Sequence, residues 1–146
     1  MAEVYKLGIT KNNNQKILEV KSISVYKGKG VEGDRHYNQF NDPYNHLSLI
    51  ESENIDYYNK KYGLNVPYLD FRRNIITKEI ELNKLVGKKF YIGKAWVEGI
   101  DLCRPCRHLT EMLNDKNILK EFIRKGGLRC QVLNDSIIEL GDKIKI

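Results

Sequence analysis

The sequence of 146 residues has no apolar run approaching the ~18–20 residues of a membrane-spanning helix. Its start, Met1-Ala2-Glu3-Val4-Tyr5-Lys6, lacks the basic-then-apolar order of a signal peptide. Cysteine is scarce, and three residues form an odd set unlike the disulfide frameworks of extracellular domains. These absences point to a cytoplasmic protein without a membrane partner. Internal repeats, low-complexity tracts and linkers are missing too, so residues 1–146 read as one domain, long enough to close a single core. Negative charge is in short supply: the net charge of +6 favours an anionic partner, either a phosphate-bearing cofactor or nucleic acid.

What is present reads mostly as strands. Val4 to Thr10 and Ile17 to Val25 are strand candidates separated by the turn signal Lys11-Asn12-Asn13-Asn14. Lys27 to Asn45 is polar and glycine-rich and reads as a long, functional loop. Ser48-Leu49-Ile50-Glu51 has capping-box spacing ahead of a helix with Ile55, Tyr58 and Tyr62 on one face and Gly63 at its end. Phe71 to Thr77 reads as a strand, as does Lys89 to Val97 with its continuation to Leu102. Two more short helices are expected, around Leu109, Met112 and Leu113 and around Ile118, Leu119, Phe122 and Ile123. Leu128, Cys130 and Val132 alternate with polar residues before the Asn134-Asp135-Ser136 turn, and the C-terminus looks like a hairpin. Strands and helices do not alternate as in a parallel α/β sheet. The expected fold is mainly β: a small, mostly antiparallel, closed β-barrel with about three short helices outside it.

Gly28-Lys29-Gly30-Val31-Glu32-Gly33 matches the dinucleotide pattern G-x-G-x-x-G. The pattern requires a helix to follow, and Asp34 to Pro43 has no helical apolar stripe, so the dinucleotide reading is rejected. Its glycines instead suit a tight loop that brings backbone N–H groups and Arg35 to a ligand. Cys103-Arg104-Pro105-Cys106 has structural-zinc spacing, but only Cys130 and the dispersed His36, His46 and His108 could complete a set. A thiolate at Cys106, near a helix start and between Arg104 and Arg107, would be stabilised by the dipole and the guanidiniums. Cys103 and Cys130 fit buried strand positions. Four separate segments carry Arg35, Arg72 or Arg73, Arg104 or Arg107, and Arg129, and their convergence on one anion is an expectation from chemistry alone.

Taken in order, these segments resemble the MOSC domain, the C-terminal domain of molybdenum cofactor sulfurases, in a stand-alone bacterial form. The resemblance runs from about Lys16 to Ile146. It rests on Gly30-Val31-Glu32-Gly33-Asp34-Arg35-His36, Arg72-Arg73-Asn74-Ile75, Leu85-Val86-Gly87 with Ile92-Gly93, the cysteine pair, Gly127-Leu128-Arg129 and Gly141-Asp142-Lys143-Ile144. It implies a β-barrel and a role in molybdenum cofactor or sulfur handling. The characteristic cysteine matches Cys106, as molybdenum ligand or persulfide carrier. Arg35, His36, Arg72, Arg73, Asn74, Arg104 and Arg129 are the implied cofactor-binding set, with arginine suited to the pterin phosphate. The chain has no room for a pyridoxal-phosphate domain, so a separate cysteine desulfurase or an electron-donor protein is the implied partner. A molybdenum-dependent reductase of N-hydroxylated substrates is the enzymatic alternative. A non-catalytic small barrel binding nucleic acid or zinc is the other; nucleic acid ranks low because the basic residues form no stripe.

Overall fold

The structure, a computed structural model, describes residues 1–12, 14–39, 46–103, 115 and 117–146. β1 (Glu3–Ile9) pairs antiparallel with β2 (Leu18–Val20) on one side and with β6 (Ile75–Lys78) on the other. β5 (Leu47–Glu51) lies parallel to β6 and antiparallel to β9 (Leu128–Val132). β9 continues onto β8 (Ala95–Leu102), β8 onto β7 (Lys89–Ile92), and β7 onto β11 (Ile144–Lys145). A second sheet joins β10 (Ser136–Glu139), β3 (Ser22–Tyr26) and β4 (Gly30–Val31).

The eight-stranded sheet curls until β1, the strand next to its β2 edge, meets the residue before β11 at an isolated bridge, Glu3 with Lys143. Backbone bonds there run from Val4 N to Asp142 O at 2.9 Å, from Gly141 N to Val4 O at 2.9 Å and from Ile144 N to Ala2 O at 3.0 Å, and the Lys143 ammonium pairs with the Glu3 carboxylate at 3.1 Å. The expected barrel is thus met as a curled, mainly antiparallel half-barrel; no continuous ladder closes it among the described residues. Of the expected helices, α1 (Ser52–Tyr62) and α2 (Asn117–Glu121) are present, with single 3-10 turns at Tyr68–Phe71 and Leu82–Leu85. The helix expected around Leu109 lies outside the described residues.

Alternation along the strands divides the apolar residues between two clusters. Leu49 and Ile75 enter the large core inside the curl, while their neighbours Ile50 and Ile76 face the other way. There they meet Ile55 and Tyr58 of α1, Ile118 and Phe122 around α2, and Phe71. α1 ends on Gly63 in the left-handed conformation, φ 62°, where glycine carries no Cβ penalty.

Several boundaries differ from those expected, for tertiary reasons. Ser48-Leu49-Ile50-Glu51 does not cap a helix. It lies in β5, because β6 and β9 on either side take its backbone groups, and α1 begins one residue later at Ser52. The Ile17–Val25 strand breaks at Lys21 and serves both sheets. Lys89 to Leu102 is a hairpin turning at Gly93, φ 59°, whose hypothetical Cβ would meet Asp142 Oδ2 at 2.4 Å. The C-terminal strands exist, but they do not pair with one another: β10 joins β3 and β11 joins β7.

Candidate functional site

A cleft of about 470 Å³ opens where the turn after β4, the exit of the first 3-10 turn, and the adjoining ends of β8 and β9 come together. Its wall holds Arg35, His36, Ser48, Arg72, Arg73, Asp101, Leu102, Cys103 and Arg129.

Each cationic group reaches the cleft through a specific local device. Gly33, at φ 85°, turns the chain so that Asp34 is buried and accepts the Thr10 N–H at 3.1 Å and the His36 N–H at 3.4 Å. Arg35 N donates to Thr10 O at 2.7 Å; its side chain lies 3.6 Å from Asp34 Oδ1 and donates from Nη2 to Arg72 O at 3.3 Å. Arg72 is a left-handed residue, φ 64°, at the C-cap of the 3-10 turn rather than the first residue of a strand. Its buried guanidinium donates from Nη1 to Gln15 O at 2.7 Å. Arg73 donates from Nε to Gly126 O at 3.0 Å and from Nη1 to Phe71 O at 3.2 Å. Asn74 lies under the cleft at 3% exposure. Its Oδ1 accepts Ser48 N at 3.1 Å and its Nδ2 donates to Gly8 O at 3.2 Å, which ties β1, β5 and β6 together.

Arg129 meets Asp101 across β8 and β9 in a two-pronged pair, Nε to Oδ1 at 2.6 Å and Nη2 to Oδ2 at 2.5 Å. The register shifts between Gly99 and Asp101, so that Asp101 rather than Ile100 stands opposite Arg129. Gly99 anchors this bulge: its N–H donates to Lys88 O at 2.9 Å, and a Cβ there would lie 2.2 Å from Leu85 O.

Burial lowers the Arg35 pKa, opposed by Asp34, with repulsion from Arg72 and Arg73 adding to the lowering. Burial also pushes the Cys103 thiol above the usual range, while Arg73 and Arg129 pull it down. Three guanidiniums and a thiol thus share one partly desolvated electrostatic environment, with Arg129 reaching it from the β8–β9 side.

Cys106 and Arg104, together with Arg107 and His108, lie outside the described residues. The segment that carries them starts at Cys103, whose N–H donates to Gly127 O at 2.8 Å. On its far side, Asp115 accepts the Tyr58 hydroxyl proton and the Asn117 N–H, the latter at 3.0 Å. Cys130 is fully buried in the main core, and buried His46 accepts the Val132 N–H on Nδ1 at 3.3 Å. Among the described residues no group of three or more His, Cys, Asp or Glu side chains is placed to hold a metal ion, and no helix is long and apolar enough to cross a membrane. The glycine pattern at 28–33 forms the β3–β4 turn and its exit; turns, not a helix, follow it through residue 38.

Sequence reasoning named Arg35, His36, Arg72, Arg73 and Arg129, and all five line the cleft. It missed Asp101 and Ser48 and took Cys103 as a core position only. The bulge that turns Asp101 inward leaves no local pattern, and Ser48 was hidden inside the apparent capping box.

The fold and the cleft define a small, mainly β domain with an arginine-lined pocket beside the strand ends. The MOSC domain family model matches residues 33–145, and the chain belongs to the MOSC domain family. Among solved structures, YuaD protein from Bacillus subtilis is similar with a TM-score of 0.83 at 16% identity, over 98% of this chain and 93% of that one. YiiM from Geobacillus stearothermophilus follows with a TM-score of 0.80 at 17% identity, over 99% and 74%. YiiM from Escherichia coli has a TM-score of 0.71 at 18% identity, over 99% and 67%. No curated protein sequence matches the chain.

Proposed function

We propose that this domain binds molybdenum cofactor in the arginine-lined cleft and handles cofactor or its sulfur through Cys106, as molybdenum ligand or as persulfide carrier. The observation that carries the reading is the meeting of Arg35, Arg72, Arg73 and Arg129, from three separate segments, on one cleft in a domain of this family. The residues fit such a group. A cleft of about 470 Å³ lies within the ~300–1,000 Å³ range of small-molecule sites, and planar guanidiniums pair with phosphate oxygens two at a time. Bound there, the cofactor would supply a molybdenum held by a dithiolene, a soft centre that takes a thiolate ligand.

The chain's own residues supply the rest. Arg35, Arg72 and Arg73, fixed by backbone carbonyls, hold the phosphate without losing much side-chain entropy. Ser48 adds a hydroxyl to the wall, and Arg73 and Arg129 pull the Cys103 thiol pKa down against the larger upward effect of burial. A cysteine desulfurase or an electron-donor protein is the partner this reading implies.

Elemental analysis after expression in a cofactor-producing host tests the reading. Molybdenum should co-purify with the protein, be lost in Cys106→Ser, and fall in Arg73→Gln. Full retention of molybdenum in Cys106→Ser would sink the ligand assignment, and retention in both variants would move the cofactor out of this cleft.

A further inference from the structure

Two adjacent tyrosines of α1 have opposite fates. Tyr58 turns inward against Phe71 and Phe122, with ring centroids 6.0 and 5.3 Å away, whereas Tyr57 is 53% exposed. Two ammonium groups from different elements gather on the Tyr57 ring. Lys61 Nζ, one turn further along α1, lies 6.0 Å from its centroid, and Lys125 Nζ, from the turn after α2, lies 4.9 Å away. The carboxylates of these elements are engaged within the protein. Glu121 accepts from Lys61 at 2.8 Å and from the Tyr62 hydroxyl at 2.7 Å; its side chain is 9% exposed while that of Lys61 is 42% exposed. This ion pair therefore turns its cation outward and its anion inward. At the other end of α1, Glu53 accepts the Glu79 N–H at 2.9 Å and Asp56 accepts the Tyr68 hydroxyl proton at 2.6 Å.

We propose that Tyr57, Lys61 and Lys125 form a docking point for an acidic protein segment, which sets an apolar side chain on the Tyr57 ring and carboxylates at the two ammoniums. The surface shares no residue with the wall of the arginine-lined cleft, and the inference does not depend on what that cleft binds. Charge complementarity carries it. Two ammoniums held at one ring repel each other, the electron-rich face of the ring offsets part of that repulsion, and an added carboxylate removes more. An exposed aromatic ring with a charged rim is the usual make-up of a protein contact. A single-stranded nucleic acid suits it less, because its phosphates need a track of cations, and two on one ring make a point. Ile123, 62% exposed in the same turn as Lys125, adds apolar area of the kind that protein side chains cover.

Fluorescence anisotropy of a labelled glutamate-rich peptide with interspersed leucines, titrated with the full chain, tests the surface. The same peptide with glutamine in place of glutamate should bind more weakly, and added salt should weaken the acidic one. Lys125→Glu and Tyr57→Ala should each reduce its affinity by about fivefold to tenfold. Lys125→Arg keeps the charge and should bind as the unaltered protein does, which sets a lost charge apart from a disturbed fold. Lys89→Glu makes the same charge change on β7 and should have a much smaller effect. Equal losses in Lys89→Glu and Lys125→Glu would mean attraction to net charge alone and overturn the docking point. Loss in Arg73→Gln with none in Lys125→Glu would move the peptide to the cleft and overturn it as well. So would failure of the unaltered protein to bind the acidic peptide, or Tyr57-dependent binding of an oligothymidylate in its place.

Discussion

Gly127 lies so close to Leu49 that a Cβ on it would stand 1.9 Å from the Leu49 carbonyl oxygen, and its φ of 106° is one that side chains rarely adopt. This contact brings the start of β9 against β5. It also positions the Gly127 carbonyl that receives the Cys103 N–H, so core geometry and cleft wall depend on one missing methyl group.

Gly127→Ala should therefore be among the most damaging single substitutions in the chain. Both the backbone overlap and the strained φ must be relieved, at a cost of about 3 kcal/mol or more. Thermal unfolding should show a midpoint lower by on the order of 10 °C. Gly28→Ala is the contrast: φ is 73° but nothing lies within 4 Å of the new methyl, so about 1 kcal/mol is expected. Equal effects for the two would refute the packing argument.

Asn74→Ala should destabilise without placing any new group in the cleft. It removes the acceptor of the part-buried Ser48 N–H and the donor to the buried Gly8 O, and a stranded buried partner of this kind costs about 1–3 kcal/mol. Urea unfolding should show a lower midpoint with an unchanged slope. An unchanged midpoint would mean that water replaces the amide.

The Cys103 thiol should alkylate slowly at neutral pH and faster as pH rises beyond the ordinary thiol range, because burial raises its pKa and the thiolate is the reactive form. Arg73→Gln removes a group that lowers that pKa, so at any fixed pH its Cys103 should react more slowly still. Peptide mass spectrometry of iodoacetamide-treated protein, in a Cys106→Ser background, reads this directly. Faster labelling in Arg73→Gln would show that Arg73 acts by covering the sulfur rather than by its charge.

Tyr58→Phe should loosen the segment that follows the cysteine pair. Burial, then the hydrogen bond to Asp115, raises the Tyr58 pKa, and the phenol donates to Asp115, which also receives the Asn117 N–H. Losing a hydrogen bond to a charged acceptor costs about 1.5–3 kcal/mol. Hydrogen exchange should quicken around Ile118 to Phe122 more than in β1 or β6; uniform quickening would mean global destabilisation only.

Much of the secondary structure was legible in the residues themselves. Leu128, Cys130 and Val132 alternate as β9 does, and Ile55 and Tyr58 share the buried face of α1. The errors cluster where pairing overrides local preference. Ser48 to Glu51 looks like a helix start, yet two neighbouring strands claim its backbone. The C-terminal strands look like a hairpin, yet each finds a distant partner, β10 pairing with β3 in one sheet and β11 with β7 in the other.

The site divides along the same line. By itself the sequence determined the kinds of group available: arginines in separate segments, a cysteine pair, glycines where the chain must turn, and the order of motifs that marks the family. Only the tertiary structure decided which of them meet. It brought Arg35, Arg72, Arg73 and Arg129 to one cleft, sank Asn74 beneath it, and through a single bulge set Asp101 rather than Ile100 against Arg129. The physical reason is that side-chain chemistry is local, whereas proximity follows from strand register, and register is fixed by the whole core at once.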